Sequence, residues 1–457
     1  MTRVLGMLSF VLILAVHAVA DDATSLKIAT FRADITPPLG SPLCFGYVEP
    51  AKEIVDPLTA RGIVILGAGK PIVLCSLDWV EIMNASHDAW REALATAAGT
   101  STDRVAVHTI HQHDAPGSDF GAEELLAQVG IPGVIEDIAF NRDCIVRTAE
   151  ALSESLKQSK TVTHVGIGSA AVEKVASNRR ILGPDGKVKI IRFSSTKDPD
   201  AIAAPEGTID PLVRLVSFWN GDKPLAVLSH YATHPQSFYG QGGVSADFVG
   251  MARTIFEKSI PDAAAIHFNG AAGNVAAGKY NNGEPATRPI LAERLARGMK
   301  SAWGATKKAP VSTADIRWGT RPVALPLRDT HTDEKSRIEL LNNDGAQKRE
   351  RARSALDLSF ALRTKRGHKI PIHMLKVGPA HILYLPGELF VEYQLAAQQL
   401  RPDDFVAMAA YGDCGPGYIG TEIAYGQGGY ETSAVSRTAP QVEGVLMGAI
   451  RELLAGE

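Results

Sequence analysis

Val105-Ala106-Val107-His108-Thr109-Ile110-His111-Gln112-His113-Asp114 begins as an apolar, β-branched run of strand length and ends as a polar, histidine-rich one. A strand that delivers reactive side chains at its end is the pattern of α/β proteins, in which chemistry sits on loops at strand ends. Side-chain alternation along a strand sends residues two apart to one face. His111 and His113 are therefore expected to project together.

Similar short apolar runs recur on both sides of this one, at Gly62 to Leu66, Ile72 to Leu77, Leu212 to Trp219, Pro224 to Leu228, Ala263 to Phe268, Pro371 to Val377 and Ile382 to Leu385. Between them lie stretches with helical patterning, Ala85 to Ala98, Ile135 to Gln158, Val249 to Ser259 and Pro289 to Ala302, and Gln441 to Leu454 closes the chain. Strands alternating with helices predict an α/β fold, a mixed β-sheet core flanked by helices in a single large catalytic domain. Thr332 to Arg366 differs. It is highly charged, has no proline, and reads as a solvated helical pair inserted on the surface.

Two further strand ends carry candidate groups. Leu225-Ala226-Val227-Leu228 runs into Ser229-His230-Tyr231-Ala232-Thr233-His234-Pro235, and Pro235 cannot continue a central strand, so His234 falls at its end. His230, before the turn, is more simply read as satisfying backbone groups. Ile382-Leu383-Tyr384-Leu385 breaks at Pro386-Gly387 and delivers Glu388, a carboxylate suited to ligating a metal or acting as a base. His-x-His offers two nitrogens to one pocket, and imidazole is the commonest protein ligand for zinc. The loop Gly412 to Thr421 is too rich in glycine to pack through side chains, yet carries Tyr418 at its centre.

Arg3, the apolar run Val4 to Val16 and the small residues Ala18-Val19-Ala20 before Asp21 make residues 1–20 a signal peptide, so the mature protein, from residue 21, is expected in the periplasm or outside the cell. No later segment is long and apolar enough to span a bilayer. Of the 457 residues, 45% are hydrophobic and 21% charged, ample for a sizeable core, and the net charge of −3 argues against a nucleic-acid partner. Cys44, Cys75, Cys144 and Cys414 are too dispersed for a zinc site, and export leaves several disulfide pairings open. Cys75, inside an apolar run, is expected to be a buried free thiol. Gly273 to Tyr280 nearly spells a phosphate-binding loop, but Tyr280 stands where a magnesium-binding Ser or Thr is needed. Neither a G-x-S-x-G elbow nor an H-E-x-x-H helix occurs.

Taken in order, Arg32-Ala33-Asp34-Ile35-Thr36-Pro37-Pro38, Leu58 to Arg61, Ser76-Leu77-Asp78, Ile110 to Gly117, Asn178-Arg179, Tyr231 to His234, Ser245-Ala246-Asp247, Leu385 to Glu388, Gly417 to Thr421 and Gly429-Tyr430-Glu431 resemble the motifs of the neutral/alkaline non-lysosomal ceramidases, over nearly the whole mature chain. The resemblance implies one zinc ion per chain, held by His111, His234, Glu388 and Tyr418. It also implies that His113 and Arg179 bind or polarise a substrate carbonyl. Zinc lowers the pKa of a bound water and so activates it to attack an amide. The implied activity is a zinc-dependent amidohydrolase acting on ceramide or a related N-acyl compound, a small-molecule or lipid amide. Three departures stand out. Ala276 occupies the place of a serine proposed to take part in the family's catalysis, Asp114 replaces a serine, and the chain ends without the immunoglobulin-like C-terminal domain of well-known members. The alternatives are a TIM-barrel amidohydrolase, which also opens its metal site with His-x-His, and a secreted binding protein without catalysis.

Overall fold

The computed structural model describes residues 25–456. The expected signal peptide, residues 1–20, lies outside the described residues. No described helix is long and apolar enough to cross a membrane.

Three sheets share one plan. In the first, strands Lys160–Thr161, Lys27–Asp34, Thr59–Gly67 and Gly69–Leu77 run antiparallel, and Val105–Thr109 joins the edge parallel to Gly69–Leu77. In the second, Lys307–Pro310, His164–Ala171, Leu212–Asn220 and Lys223–Tyr231 run antiparallel, with Ala264–Asn269 parallel at the edge. The third has Ile316–Val323, Ile370–Val377 and Ala380–Tyr384 antiparallel, with Phe405–Ala409 parallel at the edge. Helices Asn84–Ala98 and Ile138–Leu156 cover the first sheet, and Asp247–Glu257 and Thr287–Gly304 the second. Val391–Leu400 and Val442–Ala455 pack on the third. The fold is thus the expected mixed α/β type, and no sheet closes into a barrel among the described residues, which removes the TIM-barrel alternative.

The parallel edges face each other. Leu74 and Ala106 of the first sheet, Leu228 and Phe268 of the second, and Ile382 and Ala407 of the third share one buried core. Such strands, covered on both faces, read as continuous apolar runs rather than alternating ones, which is why the sequence reveals them. The loops at their C-terminal ends are laced to one another. Thr109 N–H donates to Tyr411 O (3.0 Å), Ala410 N–H to Asn269 O (3.0 Å), and Asn269 Nδ2 to Ile110 O (3.3 Å). Groups far apart in sequence therefore converge on one point.

Two expectations fail. The strand ends at Thr109, before His111, and His111 itself has φ +65°, in the left-handed region. Strand alternation is thus not what brings His111 and His113 together; a turn is. The charged segment does form helices, Glu334–Leu341 and Lys348–Lys365, but the second is no solvated insertion. Ala352, Ala355, Leu356, Leu358 and Phe360 are core residues, and its buried charges have distant partners. Asp357 accepts from Arg437 (2.8 Å) and pairs with Arg337 (2.9 Å), and Ser359 donates to Asp119 (2.8 Å). Paired charges can be buried, and sequence hides the pairing when the partners are remote. The four cysteines are all buried and free, as expected for Cys75.

Candidate metal centre

His111 enters from the loop after Val105–Thr109, His234 from the loop after Lys223–Tyr231, and Glu388 from the turn after Ala380–Tyr384. Gly387 takes φ +65° in that turn, so the strand end reverses and the carboxylate points inward. The residues Glu388 and Leu389 pair in parallel with Tyr418 and Ile419, which sets Glu388 beside Tyr418. Gly273, read in sequence as part of a near phosphate loop, instead lies where a Cβ would collide with the Glu388 carbonyl. Its N–H donates to Leu389 O (2.8 Å), and the stretch serves to seat the Glu388 strand.

His111, His234 and Glu388 form a buried cluster able to hold a metal ion. The two Nε2 atoms are 3.1 Å apart, and Glu388 Oε2 is 3.0 Å from each. A tetrahedral ion with bonds of about 2.0–2.1 Å has ligand–ligand edges of about 3.3 Å, close to this triangle. The donor chemistry agrees. His111 Nδ1 faces Val80 O (3.0 Å) and His234 Nδ1 faces Ala272 O (2.6 Å). Carbonyls only accept, so each ring donates through Nδ1, and the two Nε2 atoms turn toward each other. Burial depresses the His234 pKa to about 4, which keeps that ring neutral. Glu388 Oε2 is buried with no hydrogen bond of its own. Three acceptors converging in a dry site are answered together by one cation.

Tyr418 closes one side, its hydroxyl 3.3 Å from His234 Nε2. Burial holds its phenol well above the usual range, opposed by Arg179. Arg179 Nη1 donates to that hydroxyl (3.0 Å). Its Nε faces Glu431 (3.2 Å), a fully buried carboxylate shared with Arg180. His113 lies on the solvent side, half-buried, with its ring 4.8 Å from that of His111 and 6.0 Å from that of His234. Its Nδ1 faces the His111 carbonyl (3.1 Å), and burial pushes its pKa well below 6.5, so the neutral ring offers Nε2 as an acceptor. All six residues singled out from the sequence therefore lie at one place. His230 does not: it stacks on Phe268 in the core.

Ala276 forms a β-bridge with His234 and is fully buried, with no hydroxyl to offer. Asp114 accepts from Gly240 N–H (2.8 Å) and from Arg288 (3.2 Å), so it anchors the neighbouring loop and is no ligand. Two residues escaped the sequence reading. Glu81 has Oε1 3.6 Å from His111 Nδ1, and burial, with the nearby Glu388 charge, raises its carboxyl well above the usual range. A lone acid in the apolar run Trp79-Val80-Glu81-Ile82-Met83 was its available signal. Tyr411 stacks on His111, and nothing in its glycine-rich surroundings marks it.

The structure resembles two solved ceramidase structures. One is a ceramidase complexed with C2, with TM-score 0.68 and 18% identity over 94% of this chain and 75% of that one. The other is the neutral ceramidase from Pseudomonas aeruginosa, with TM-score 0.68 and 18% identity over 95% of this chain and 74% of that one. At this identity the likeness establishes a common fold. No family model and no curated protein matches the sequence.

Proposed function

We propose that this protein is an exported zinc-dependent amidohydrolase of the neutral ceramidase type, which cleaves the amide bond of ceramide or a related N-acyl compound. The observation that carries the reading is the triangle of bare acceptors from His111, His234 and Glu388, with Tyr418 at its edge. Two imidazoles, a carboxylate and a phenol are a donor set suited to zinc. A zinc ion held there supplies Lewis acidity and lowers the pKa of a water molecule toward neutrality. The surrounding residues supply the rest. Arg179, fixed by Glu431, has Nη1 directed to the Tyr418 hydroxyl and can donate to a carbonyl oxygen that gains charge. His113 Nε2 can take up a proton and, once charged, donate to the same oxygen or to the leaving amine.

An aromatic rim suits an acyl chain. Phe193, Tyr239 and Tyr430 are partly exposed, with Tyr239 5.4 Å from the His113 ring and Tyr430 5.7 Å from the Tyr418 ring. Ala276 leaves no hydroxyl at that point, and a metal held by His111, His234 and Glu388 would supply the activation of water without one. The test is a panel of N-acyl sphingosines and shorter N-acyl amides, with chelator and with zinc restored. Turnover that is lost to chelator and regained with zinc supports the reading. Activity confined to short amides retains the amidase and discards ceramide, and no metal-dependent turnover favours a binding protein on this fold. Export follows from residues 1–20, and amino-terminal sequencing of exported material should begin at Asp21.

A further inference from the structure

The loop that follows His234 brings one side chain back to His113. Tyr239, five residues beyond His234, is 38% exposed. It meets the His113 ring edge-on, with centroids 5.4 Å apart and planes at 64°. Among the described residues three rings flank His113. Those of His111 and His234 belong to the metal centre, and Tyr239 supplies the third. The only hydrogen bond of the His113 ring among the described residues is at Nδ1, to the His111 carbonyl (3.1 Å). Tyr239 is therefore the contact from outside the metal centre that limits how this half-buried imidazole turns.

Tyr239 stands on backbone that buried charges hold in place. Asp114, the residue after His113, accepts from the N–H of Gly240, the residue after Tyr239 (2.8 Å). The immediate neighbours of the two rings are thus bonded to each other. The Asp114 carbonyl also accepts from Ser245 N–H (3.3 Å), farther along the same loop. Arg288, in helix Thr287–Gly304, closes the clamp. Its Nη2 donates to Asp114 (3.2 Å) and to the Phe238 carbonyl, and its Nε donates to Ser237 Oγ (3.1 Å). Asp247 holds Ser237 in turn, accepting from its N–H (3.0 Å) and its hydroxyl (2.5 Å). Next along the loop, Gly242 O accepts from Lys52 N–H (2.8 Å). Gly242 has φ +87°, and a Cβ there would lie 2.5 Å from Pro50 O. Asp114, Ser237, Asp247 and Arg288 are all buried, where charge-assisted bonds are strong and costly to break. The segment is a fixed wall, and its tip is the Tyr239 ring.

We propose that Asp114 and Arg288 are positioning residues for amide hydrolysis, which act through Tyr239 to hold the His113 ring in one orientation at the metal centre. This inference rests on the amidase reading and adds to it residues that take no part in ligating the metal. A reacting group displaced by about 1 Å can cost about 100-fold in rate, so a clamp outside the metal centre can govern kcat.

The experiment measures kcat and KM for N-lauroylsphingosine on zinc-loaded full-length Y239A, Y239F, D114A and D114A/Y239A. Y239A should keep its zinc and lose about 10- to 100-fold in kcat, with KM changed less than about threefold. Y239F, which keeps the ring, should recover most of the loss. D114A should fall in the same direction, and D114A/Y239A no further than Y239A alone, because Asp114 acts through that ring. R288K, a milder break of the clamp, carries the same comparison if D114A does not fold. Unchanged kcat in Y239A, a loss confined to KM, or additive losses in the double variant would overturn the proposal. Modification of His113 by diethylpyrocarbonate, followed on its peptide by mass spectrometry, reads the ring without turnover. It should proceed faster in Y239A and in D114A or R288K than in the wild type. If no amide is cleaved, the amidase reading fails, while faster modification in these variants still upholds the hold on His113. Equal rates in the variants and the wild type overturn it.

Discussion

The ring of Tyr411 lies stacked on the imidazole of His111, with centroids 4.5 Å apart and planes 21° from parallel, and both residues sit in the left-handed region, at φ +63° and +65°. Such backbone is costly for residues with side chains, and it persists where the surroundings over-determine it. Here the surroundings are the lacing of Thr109 to Tyr411 and of Ala410 to Asn269.

Tyr411 therefore fixes the plane of the His111 ring. Y411A should weaken zinc affinity about 10–100-fold, the range typical of groups that orient ligands. Y411F should change it little, because the stacked face remains. Competition against a chromophoric chelator measures both. Equal affinity in Y411A and wild type would show that the stack is idle.

The buried Asp357–Arg437 pair ties the charged helix to the Tyr418 loop. Removing one partner leaves an uncompensated buried charge, so D357A should cost about 3–5 kcal/mol in urea unfolding. A loss below about 1 kcal/mol, the level of an exposed pair, would return this helix to the surface role suggested by its composition.

The strand runs around Val107, Val227 and Leu383 were legible because parallel strands buried on both faces must be continuously apolar. His234 and Glu388 were legible because Pro235 and Pro386 mark where such strands stop. The helix around Asp357 was not, since its charges are neutralised by Arg437 and Arg337 and only the fold brings these together. The left-handed turn at His111 was likewise invisible, because no glycine or asparagine announces it. Glu81 and Tyr411 meet His111 only through space, and spacing along the chain carries no trace of that.

Glu136 gives the fold a pH dependence of predictable sign. Burial outweighs the donors Ser118 and Asn141 and raises its pKa from 4.5 to about 8. The folded chain therefore keeps a proton that the unfolded chain releases, and stability falls as pH rises from about 4.5 to about 8. E136Q, which does not titrate, should start less stable at pH 5 and lose less over the same window. Thermal unfolding across that window checks it, and an undiminished slope in E136Q would assign the dependence to other groups.

Placing a hydroxyl at Ala276 tests whether a serine at that point matters. A276S should alter kcat on an amide substrate by less than about 100-fold, the smallest effect expected of a positioned acid–base group. A larger gain would show that a hydroxyl at this point takes part in the reaction.

If His111, His234 and Glu388 hold one zinc ion, the metal should leave with either histidine. Elemental analysis of purified full-length protein and of H111A and H234A, each checked for folding by circular dichroism, tests it most directly. About one zinc per wild-type chain is expected, with a large loss in both folded variants. Folded wild type that takes up no zinc, or variants that keep it, would rule out a zinc site at these three residues.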